Sequence, residues 1–574
     1  MYSQENVYLK NNPFYKCFNH NNPSGFDVPD VSMFGMLEIS AKSHPKAKAY
    51  EYYGTYSTYE KLIENIKFVS NCFYGLGVRK GDVVTILCPN MPETVMAIYA
   101  LNRIGAISNI VHPLSAQEEI RDYLVSCKCK YIVTVDLCVD KISGIIDSTP
   151  LQRVIIVSPS QSMGYVMKKA YNILNKTDIP QWDSRYILWK RFLHIKGEAE
   201  EYTPSGKENH LPAIILHSGG TTGTPKDIML SNSNFNSFAV QSVLTLDDVG
   251  VGDKILAVLP VFHGFGLGVC IHDAFCFGAC SVLVPRFSAK SFLRLINRYK
   301  PTMIFGVPTL FEAIVKSNTR RNSDLSFLKY IVCGGDSLSK DLEMQVNRFL
   351  REHNCSTHIC EGYGMTEGLA ALSLSVGEGF KSGTVGKPLI GNSMCITEPG
   401  TVNVLPQGIE GELCVSGPTV MIGYRNNDIE TAAVLKRHKD GKLWLHTGDI
   451  ALIDTDGFVH YKFRLKRMII SSGYNVYPSR IEKVIEDLPE VSKCTVVGIQ
   501  HPYKKEVAKA FIVLEKGYSQ SNYLTDKIKS HCKKNLSHYS VPYEYEFIKE
   551  FPKTPYGKTD FCKLQAESNK ASQG

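Results

Sequence analysis

Apolar residues in the first part of the chain recur with two different periods. Over residues 59–74 they follow helical spacing, and glycines at 75 and 77 predict where that helix ends. Residues 82–88 form a mostly apolar run typical of a buried strand, and helical spacing returns from Pro92 to Arg103. Strands that alternate with helices in this way indicate parallel sheets covered by helices.

The alternation is strongest over residues 213–370. We predict strands at 255–259, 280–284, 303–305, 330–333 and 357–360, and helices at 292–298, 309–315 and 341–352. Loops of small residues follow strands at 218–226, 261–268, 334–337 and 362–367. Ligands of such folds bind beyond the carboxyl ends of strands, so we expect these loops to converge at one sheet edge.

Beyond residue 380 the pattern changes to short β runs between glycines and prolines, which predicts a small antiparallel β subdomain ending near 456–458. After Lys466 it becomes α+β, with strands near 468–471, 494–499 and 509–514 and helices near 479–487 and 522–535. The predicted fold class is therefore α/β. A large N-terminal domain of parallel α/β sheets carries a small β subdomain, and a compact α+β domain follows it.

Composition narrows the class of protein. The chain has 574 residues, 44% of them apolar and 21% charged, which predicts a multidomain folded protein. A net charge of +8 suits anionic small molecules and is no footprint of nucleic-acid binding. Residues 1–30 lack an apolar signal segment, and the most apolar window, 265–284, contains His272 and Asp273, which favours a buried core segment. We expect a soluble, cytoplasmic protein.

The 17 cysteines show no disulfide framework, so we interpret them as free thiols in a reducing compartment. One group has ligand types that suit zinc: His353, Cys355, His358 and Cys360. Its spacing matches no standard zinc module, and His358 and Cys360 fit one face of a strand. We therefore interpret these residues as part of the packed fold and not as zinc ligands.

An apolar run at 213–216 leads into a loop of small residues over 217–226. Glycines allow close approach of the backbone to a ligand, hydroxyl and N–H groups can point at one anion, and Lys226 adds positive charge. This is the chemistry of a polyphosphate cradle. It is not a Walker A loop, because Pro225 stands where that motif needs glycine. A glycine-rich surface loop is the alternative, and downstream residues decide between the two.

Five motifs occur in a fixed order: Ser218–Lys226, Tyr363-Gly364-Met365-Thr366-Glu367, Thr447-Gly448-Asp449, Arg464-Leu465-Lys466 and Pro552-Lys553-Thr554-Pro555-Tyr556-Gly557-Lys558. Together they resemble the AMP-forming acyl-CoA synthetases of the adenylate-forming superfamily, most of all the bacterial fatty-acid–CoA ligases. The resemblance covers nearly the whole chain. It implies an enzyme that joins a carboxylic acid to AMP with release of pyrophosphate and then transfers the acyl group to coenzyme A. The implied cofactors are ATP, Mg²⁺ and coenzyme A.

The resemblance also assigns roles. Lys558 bridges the carboxylate and the α-phosphate, Thr366 bonds the α-phosphate, and Glu367 binds Mg²⁺, for which a hard oxygen ligand is suited. His263 matches the acyl pocket and favours a plain carboxylic acid. The implied nucleotide-binding residues are Ser218, Gly219, Gly220, Thr221, Thr222, Gly223 and Lys226 at the phosphates, Gly334, Gly335, Asp336, Tyr363 and Gly364 along the adenine and acyl group, and Asp449 and Arg464 at the ribose.

By the same resemblance, residues 1–463 form the core with the ATP and acyl sites, and residues 464–574 form a mobile lid with a hinge at 464–467. Lys466 is the pivot. One orientation of the lid presents Lys558, and the other brings Gly473 beside the pantetheine channel. Asp227 and Phe463 stand where the family usually has glycine. We expect Asp227 to point away from the core, because Ile228 and Leu230 would then share the core side.

The predicted substrate is a medium- or long-chain fatty acid, because residues 160–206 resemble insertions in bacterial medium- and long-chain fatty-acid ligases. Met163, Val166, Met167, Ala170, Tyr171 and Leu174 fall on one helical stripe with lysines beside it. This helix could touch a membrane surface, or it could pack on its own domain, which is the commoner role for one stripe. The alternatives are an aryl acid, an acyl-AMP ligase that loads a carrier protein, and a nucleotide-binding pseudoenzyme.

Overall fold

The computed structural model of the chain describes residues 27–174, 183–218, 226–246, 248–317, 323–467, 469–471, 474–476, 478–501, 505–553 and 559–571. The strands up to residue 464 are, in chain order, β1 Lys48–Tyr52, β2 Thr55–Thr58, β3 Val83–Leu87, β4 Ile107–Ile110, β5 Tyr131–Val135, β6 Arg153–Val157, β7 Tyr186–Leu188, β8 Pro212–Ser218, β9 Lys226–Ser231, β10 Lys254–Ala257, β11 Cys280–Leu283, β12 Met303–Gly306, β13 Tyr330–Cys333, β14 Ile359–Gly364, β15 Ala371–Leu374, β16 Lys387–Pro388, β17 Ser393–Thr397, β18 Gly411–Ser416, β19 Gly423–Tyr424, β20 Leu435–Arg437, β21 Leu443–Ile453 and β22 Val459–Arg464.

The helices of the same part are α1 Met33–Ser43, α2 Tyr59–Leu76, α3 Pro92–Arg103, α4 Gln117–Ser126, α5 Val139–Ser143, α6 Tyr165–Leu174, α7 Trp189–Phe192, α8 Asn232–Thr245, α9 Ala274–Phe277, α10 Phe292–Tyr299, α11 Pro308–Val315, α12 Lys340–Glu352 and α13 Asp428–Val434. The predicted helices and strands of this part are therefore present. Their ends differ from the predicted bounds by a few residues.

Two large sheets organise residues 48–424. One has eight strands in the order β19-β9-β8-β4-β3-β5-β6-β7, and the other has nine in the order β16-β15-β14-β13-β12-β10-β11-β1-β2. The pairs β3–β4, β3–β5 and β10–β11 are parallel, whereas β8–β9 and β14–β15 are antiparallel. The predicted α/β class with parallel sheets is confirmed.

One continuous apolar core joins the two sheets. It includes Val84 and Ile214 from the eight-stranded sheet, and Ile255 and Phe305 from the nine-stranded one. Helix α3 crosses this core, and every residue from Pro92 to Asn102 is buried. A helix that is buried all round has no polar face to read, so its spacing alone does not show which side it packs on.

The apolar window at 265–284 is a core segment, as predicted. It forms a π-helix, Phe265–Asp273, that runs into α9 and then β11. The buried His272 ring lies 2.8 Å from the hydroxyl of Tyr99 and 3.2 Å from Asn236 Oδ1, so its polar atoms have partners inside the core. Among the described residues, no helix is long and apolar enough to cross a membrane.

The predicted antiparallel subdomain is a five-stranded sheet, β17-β18-β21-β20 with β22 added on β21. It continues to Arg464, beyond the expected end at 456–458, because β22 pairs along β21 as far as Asp449↔Arg464. Leu413, Val415, Ala451 and Val459 form its core.

The last part of the chain is the predicted α+β unit. Its strands are β23 Ile469–Ser471, β24 Tyr474–Val476, β25 Val491–His501, β26 Lys505–Leu514 and β27 Glu544–Phe547, and its helices are α14 Pro478–Glu486, α15 Asn522–Asn535 and α16 Phe561–Ala571. Ile481 and Ile485 of α14 pack with Ile528 of α15 against Val496 and Ile512 of the sheet.

Helix α6 packs on its own domain only in part. Of the predicted stripe, Met163 is buried in the main core and Tyr171 packs against that core, but no residue of α6 itself is buried. Val166 is 78% exposed and Leu174 is 81% exposed. Polar contacts also hold the helix: the Tyr171 hydroxyl donates to Asp136 Oδ1 at 3.3 Å, and Ser160 Oγ donates to Asn172 Oδ1 at 2.8 Å.

Candidate active site

The buried carboxylate of Asp449 lies at the centre of the candidate site. The hydroxyl of Tyr363 donates to its Oδ2 at 2.7 Å, and Arg464 Nε donates to its Oδ1 at 2.8 Å. Its backbone N–H donates to Thr447 Oγ1 at 3.1 Å. The Asp449 side chain is 4% exposed and that of Arg464 is 42% exposed, so the pair joins a buried acid to a base that reaches solvent.

Strand register produces this arrangement. Asp449 and Arg464 are register partners on β21 and β22, and Tyr363 belongs to β14 of the nine-stranded sheet. The charge of Asp449 raises the pKa of Arg464, which therefore stays a cation. Burial, and then the Asp449 charge, raise the pKa of Tyr363 well above its usual range, so its hydroxyl stays a donor.

A tight turn follows β14 and carries Thr366 and Glu367. Residues Thr366–Gly368 form one turn of 3₁₀ helix. At Gly364 a Cβ atom would lie 1.6 Å from the carbonyl oxygen of Ala370, so only glycine fits there. This close approach folds the chain back sharply and presents both side chains half-buried at the end of the strand.

Glu367 and Lys226 are linked through Tyr424. The Tyr424 hydroxyl donates to Glu367 Oε1 at 2.9 Å, and Lys226 Nζ lies 4.5 Å from the centre of the Tyr424 ring. Lys226 also forms an ion pair with Glu430 of α13. Burial and the Glu367 charge raise the pKa of Tyr424, which keeps its hydroxyl protonated.

The loop of small residues joins two antiparallel strands of the eight-stranded sheet. Ser218 closes β8, Lys226 opens β9, and the two are register partners. The nucleotide-binding candidates between them, Gly219, Gly220, Thr221, Thr222 and Gly223, lie outside the described residues. Ser231 caps α8 by accepting from the Asn234 N–H at 3.1 Å.

The expectation that all four loops share one sheet edge is wrong. The loop after Ser218 belongs to the eight-stranded sheet, and the loops after β13 and β14 belong to the nine-stranded one. The short strand β19 connects the two sheets at this point. It pairs with β9 through Tyr424↔Ile228, and Tyr424 contacts Glu367 of the other sheet. The candidate site is therefore built between two sheets.

Asp227 lies on the face of β9 opposite Ile228 and Leu230, which are fully buried as predicted. It is nevertheless not left to solvent. His217 Nδ1 lies 2.9 Å from its Oδ1, Ser126 Oγ donates to its Oδ2 at 3.0 Å, and the side chain is 11% exposed. Burial opposes ionisation, but the His217 and Ser126 hydrogen bonds prevail and lower the pKa of Asp227. The acid is held beside the loop by these hydrogen bonds.

His263 lies near the turn that carries Glu367. A Cβ at the next residue, Gly264, would lie 1.6 Å from the carbonyl oxygen of Leu369, so the two backbones touch. The His263 ring is 5.1 Å from that of Phe262, which in turn is 4.0 Å from the ring of His112. Burial lowers the pKa of His112 to about 4, so the His112 ring is uncharged at neutral pH.

Gly334, Gly335 and Asp336 follow β13 and complete the described part of the site. Gly334 packs against the carbonyl of Gly362 and the ring of Phe265, and Asp336 is exposed. Arg464 leads into one turn of 3₁₀ helix, Leu465–Arg467. The side chain of Lys466, all of Gly473 and the proposed catalytic Lys558 lie outside the described residues.

Comparison with known families decides the identity. Residues 37–425 match the family described as AMP-binding enzyme, and residues 480–558 match the AMP-binding enzyme C-terminal domain. The chain belongs to the AMP-binding enzyme family.

Relatives of this AMP-binding enzyme cover most of its length. A long-chain-fatty-acid–CoA ligase of Bacillus subtilis (strain 168) is 29% identical over 541 residues, which is 93% of this chain and 94% of the relative. The 4-coumarate–CoA ligase 4 of Arabidopsis thaliana is 31% identical over 512 residues, 88% of this chain and 85% of the relative. The resemblance to the AMP-forming acyl-CoA synthetases is confirmed, and the chain is an enzyme of that class.

Solved structures support the fold of the AMP-binding enzyme. The crystal structure of an anthranilate CoA ligase in complex with anthranoyl-AMP has a TM-score of 0.80 at 23% identity, and the match covers 95% of this chain and 99% of that one.

Two residues of the described site were missed in the sequence. Tyr424 and Glu430 lie about two hundred residues beyond the loop whose lysine they contact. Tyr424 sits in a strand of two residues, which has no readable period, and Glu430 looks like an ordinary acid in the first turn of a helix.

Proposed function

We propose that this enzyme activates a medium- or long-chain fatty acid and transfers it to coenzyme A. In the first step a carboxylate oxygen attacks the α-phosphorus of ATP, pyrophosphate leaves, and acyl-AMP forms. In the second step the thiol sulfur of coenzyme A attacks the acyl carbon, AMP leaves with the bonding electrons, and the thiol proton is released. ATP and coenzyme A are substrates of this enzyme class.

The observation that carries the proposal is the Tyr363–Asp449–Arg464 group. Each oxygen of Asp449 accepts one bond from the protein and keeps a further lone pair for a ribose hydroxyl. Arg464 brings a positive charge that reaches solvent within the same group, suited to ribose or phosphate oxygens. We assign Tyr363, Gly364 and the 334–336 loop to the adenine and acyl group. We assign Ser218 to Lys226 to the phosphates.

Glu367 fits the proposed Mg²⁺ ligand. A carboxylate oxygen is the donor that Mg²⁺ takes, and the Tyr424 hydroxyl fixes the carboxylate while occupying only one of its lone pairs. When bound, the ion neutralises phosphate charge. Thr366, one residue earlier, is proposed to donate to the α-phosphate. Lys558 is proposed to stabilise the charge that develops as the carboxylate attacks.

One feature supports a fatty acid as the substrate: residues 160–206 resemble the insertions of fatty-acid ligases. His263 matches the acyl-pocket position and supports a plain carboxylic acid, whether fatty or aryl. Helix α6 within that insertion presents an exposed apolar surface with lysines beside it. We propose that α6 makes weak contact with membrane surfaces, where fatty acids partition.

An aryl acid is the second candidate, favoured by the coumarate ligase at 31% identity. The test is pyrophosphate release with ATP and Mg²⁺ across acetate, octanoate, palmitate, benzoate and coumarate, each with and without coenzyme A. Turnover on octanoate or palmitate that coenzyme A accelerates supports the proposal, whereas selectivity for benzoate or coumarate replaces it with the aryl candidate.

Two further outcomes of the same assay would reject coenzyme A ligation. Acid-dependent pyrophosphate release that coenzyme A fails to accelerate would identify a carrier-protein acceptor. ATP binding without pyrophosphate release on any acid would identify a pseudoenzyme.

A further inference from the structure

A row of potential metal ligands crosses the five-stranded sheet, away from the residues assigned above. Cys395 of β17 is the register partner of Cys414 of β18, and Cys414 is the register partner of His446 of β21. His438 follows β20, the strand that pairs with β21 on its other side. Because register partners place their side chains on the same face of a sheet, Cys395, Cys414 and His446 share one face.

Three of these residues place their potential ligand atoms close together. The ligand atoms of Cys414, His438 and His446 all lie within 4.8 Å of one another. In a tetrahedral zinc site, ligand atoms are separated by about 3.3–3.8 Å, so small side-chain rotations would suffice. The three residues are 0%, 7% and 4% exposed, which encloses the group as in a structural site.

The two histidine rings face each other through their Nε2 atoms. His446 Nδ1 lies 3.1 Å from Glu412 Oε2, and His446 Nε2 lies 3.0 Å from His438 Nε2. The remaining nitrogen, His438 Nδ1, is buried without a hydrogen-bond partner in the described part of the chain. Two imidazole nitrogens that face each other can bind one metal ion in place of the proton between them.

A carboxylate also holds one of these potential ligands in place. Glu412 orients His446 as carboxylates orient zinc-bound histidines.

We propose that Cys414, His438 and His446 bind a structural zinc ion, with Cys395 as the fourth ligand. Two thiolates and two imidazoles in a closed tetrahedral arrangement are a standard zinc ligand set. The residues at 353–360 also suit zinc by type, but among the described residues their ligand atoms are not drawn together as those of Cys414, His438 and His446 are. His353 Nδ1 lies 2.7 Å from the carbonyl oxygen of Phe349.

The zinc ion would stabilise the strand that carries Asp449. Glu412 bonds His446 through Oε2 and accepts from the N–H of Gly448 through Oε1 at 3.2 Å. His446 and Gly448 precede Asp449 on the same strand, β21. Glu412 therefore links the proposed metal ligand His446 to the segment of β21 that carries Asp449, although this proposal does not depend on what Asp449 binds.

The first test uses the full-length chain without a histidine tag, purified under reducing conditions and exposed to zinc chloride before extensive dialysis. Elemental analysis should find about one zinc ion per chain. Replacement by Co²⁺ should give the intense visible bands of tetrahedral cobalt and a thiolate charge-transfer band. A chain that retains no zinc, or one whose Cys395 and Cys414 form a disulfide under these conditions, would overturn the proposal.

Variants test the ligands. Cys414→Ser and His446→Gln should lower zinc content about tenfold or more, and the matched control His358→Gln/Cys360→Ser should retain it. Loss of zinc in the control, or full retention in both ligand variants, would overturn the assignment. If the ligand variants do not fold, Glu412→Gln replaces them, because it keeps all four ligands. It should weaken zinc affinity about 10–100-fold in competition with a chelator, and an unchanged affinity would contradict the proposal.

Discussion

Arg464 Nε lies 2.8 Å from Oδ1 of Asp449, across a register pair of β21 and β22. Substituting Asp449→Asn removes the charge of this pair and leaves Arg464 without its acid. A hydrogen bond to a charged group contributes about 1.5–3 kcal/mol, so we expect the KM for ATP to rise about 10–100-fold in the pyrophosphate-release assay. The exposed Asp456→Asn is the matched control. An unchanged KM for ATP in Asp449→Asn would contradict the proposed ribose contact.

Lys558→Ala separates the two half-reactions. We expect it to abolish pyrophosphate release with acid and ATP, because its ammonium is proposed to stabilise the charge that develops during adenylation. Thioester formation from supplied acyl-AMP and coenzyme A should persist, since the proposed lid rotation withdraws Lys558 for that step. Lys563→Ala, an exposed residue of α16, serves as the control. Equal loss of both half-reactions would rule out the two-orientation mechanism.

Tyr424→Phe tests whether Glu367 binds Mg²⁺. The variant removes only the hydroxyl that donates to Glu367 at 2.9 Å. We expect the Mg²⁺ concentration for half-maximal rate to rise about tenfold, because the carboxylate loses the group that orients it, while the KM for the acid stays the same. Tyr523→Phe, 80% exposed on α15, is the control. A shift in the KM for the acid without a shift in the Mg²⁺ dependence would point to a different role.

Glu361 makes stability depend on pH. Burial raises the pKa of this carboxyl from its ordinary value of 4.5 to about 7. Between these two values the folded state binds more protons than the unfolded state, so the free energy of unfolding falls as pH rises through that window. Burial also raises the pKa of Glu93 to about 7, so this group contributes a fall of the same sign. Glu361→Gln should therefore show a shallower fall than the native chain in urea unfolding measured from pH 4.5 to pH 7.5, whereas the exposed Glu352→Gln should keep the native slope. The same slope in Glu361→Gln would show that another group is responsible.

The exposed face of α6 predicts weak membrane contact. The native chain should sediment with vesicles that contain phosphatidylserine, and Val166→Asp/Ile173→Asp should abolish this, since both side chains are more than 70% exposed. Ile409→Asp, which changes an exposed apolar residue elsewhere, should sediment as the native chain does. Equal sedimentation of all three proteins would exclude α6 as the contact.

Local spacing in the sequence determined most helices and strands. The helix at Pro92–Arg103 and the strand at Tyr330–Cys333 have the predicted bounds, because proline, turn residues and apolar periods act within a few residues of one another. The ordered motifs likewise determined the family, and they contain Tyr363, Glu367, Asp449 and Arg464.

Only the tertiary structure decided which of these residues meet. Lys226 reaches Tyr424, Cys414 faces His438 and His446, and the candidate site lies between two sheets instead of at one edge. Each of these contacts depends on strand order and register, which are set by burial and pairing between distant segments. Local spacing does not show which residues become register partners. The sequence alone could therefore identify candidate ligands and catalytic groups, but it could not show which of them contact one another.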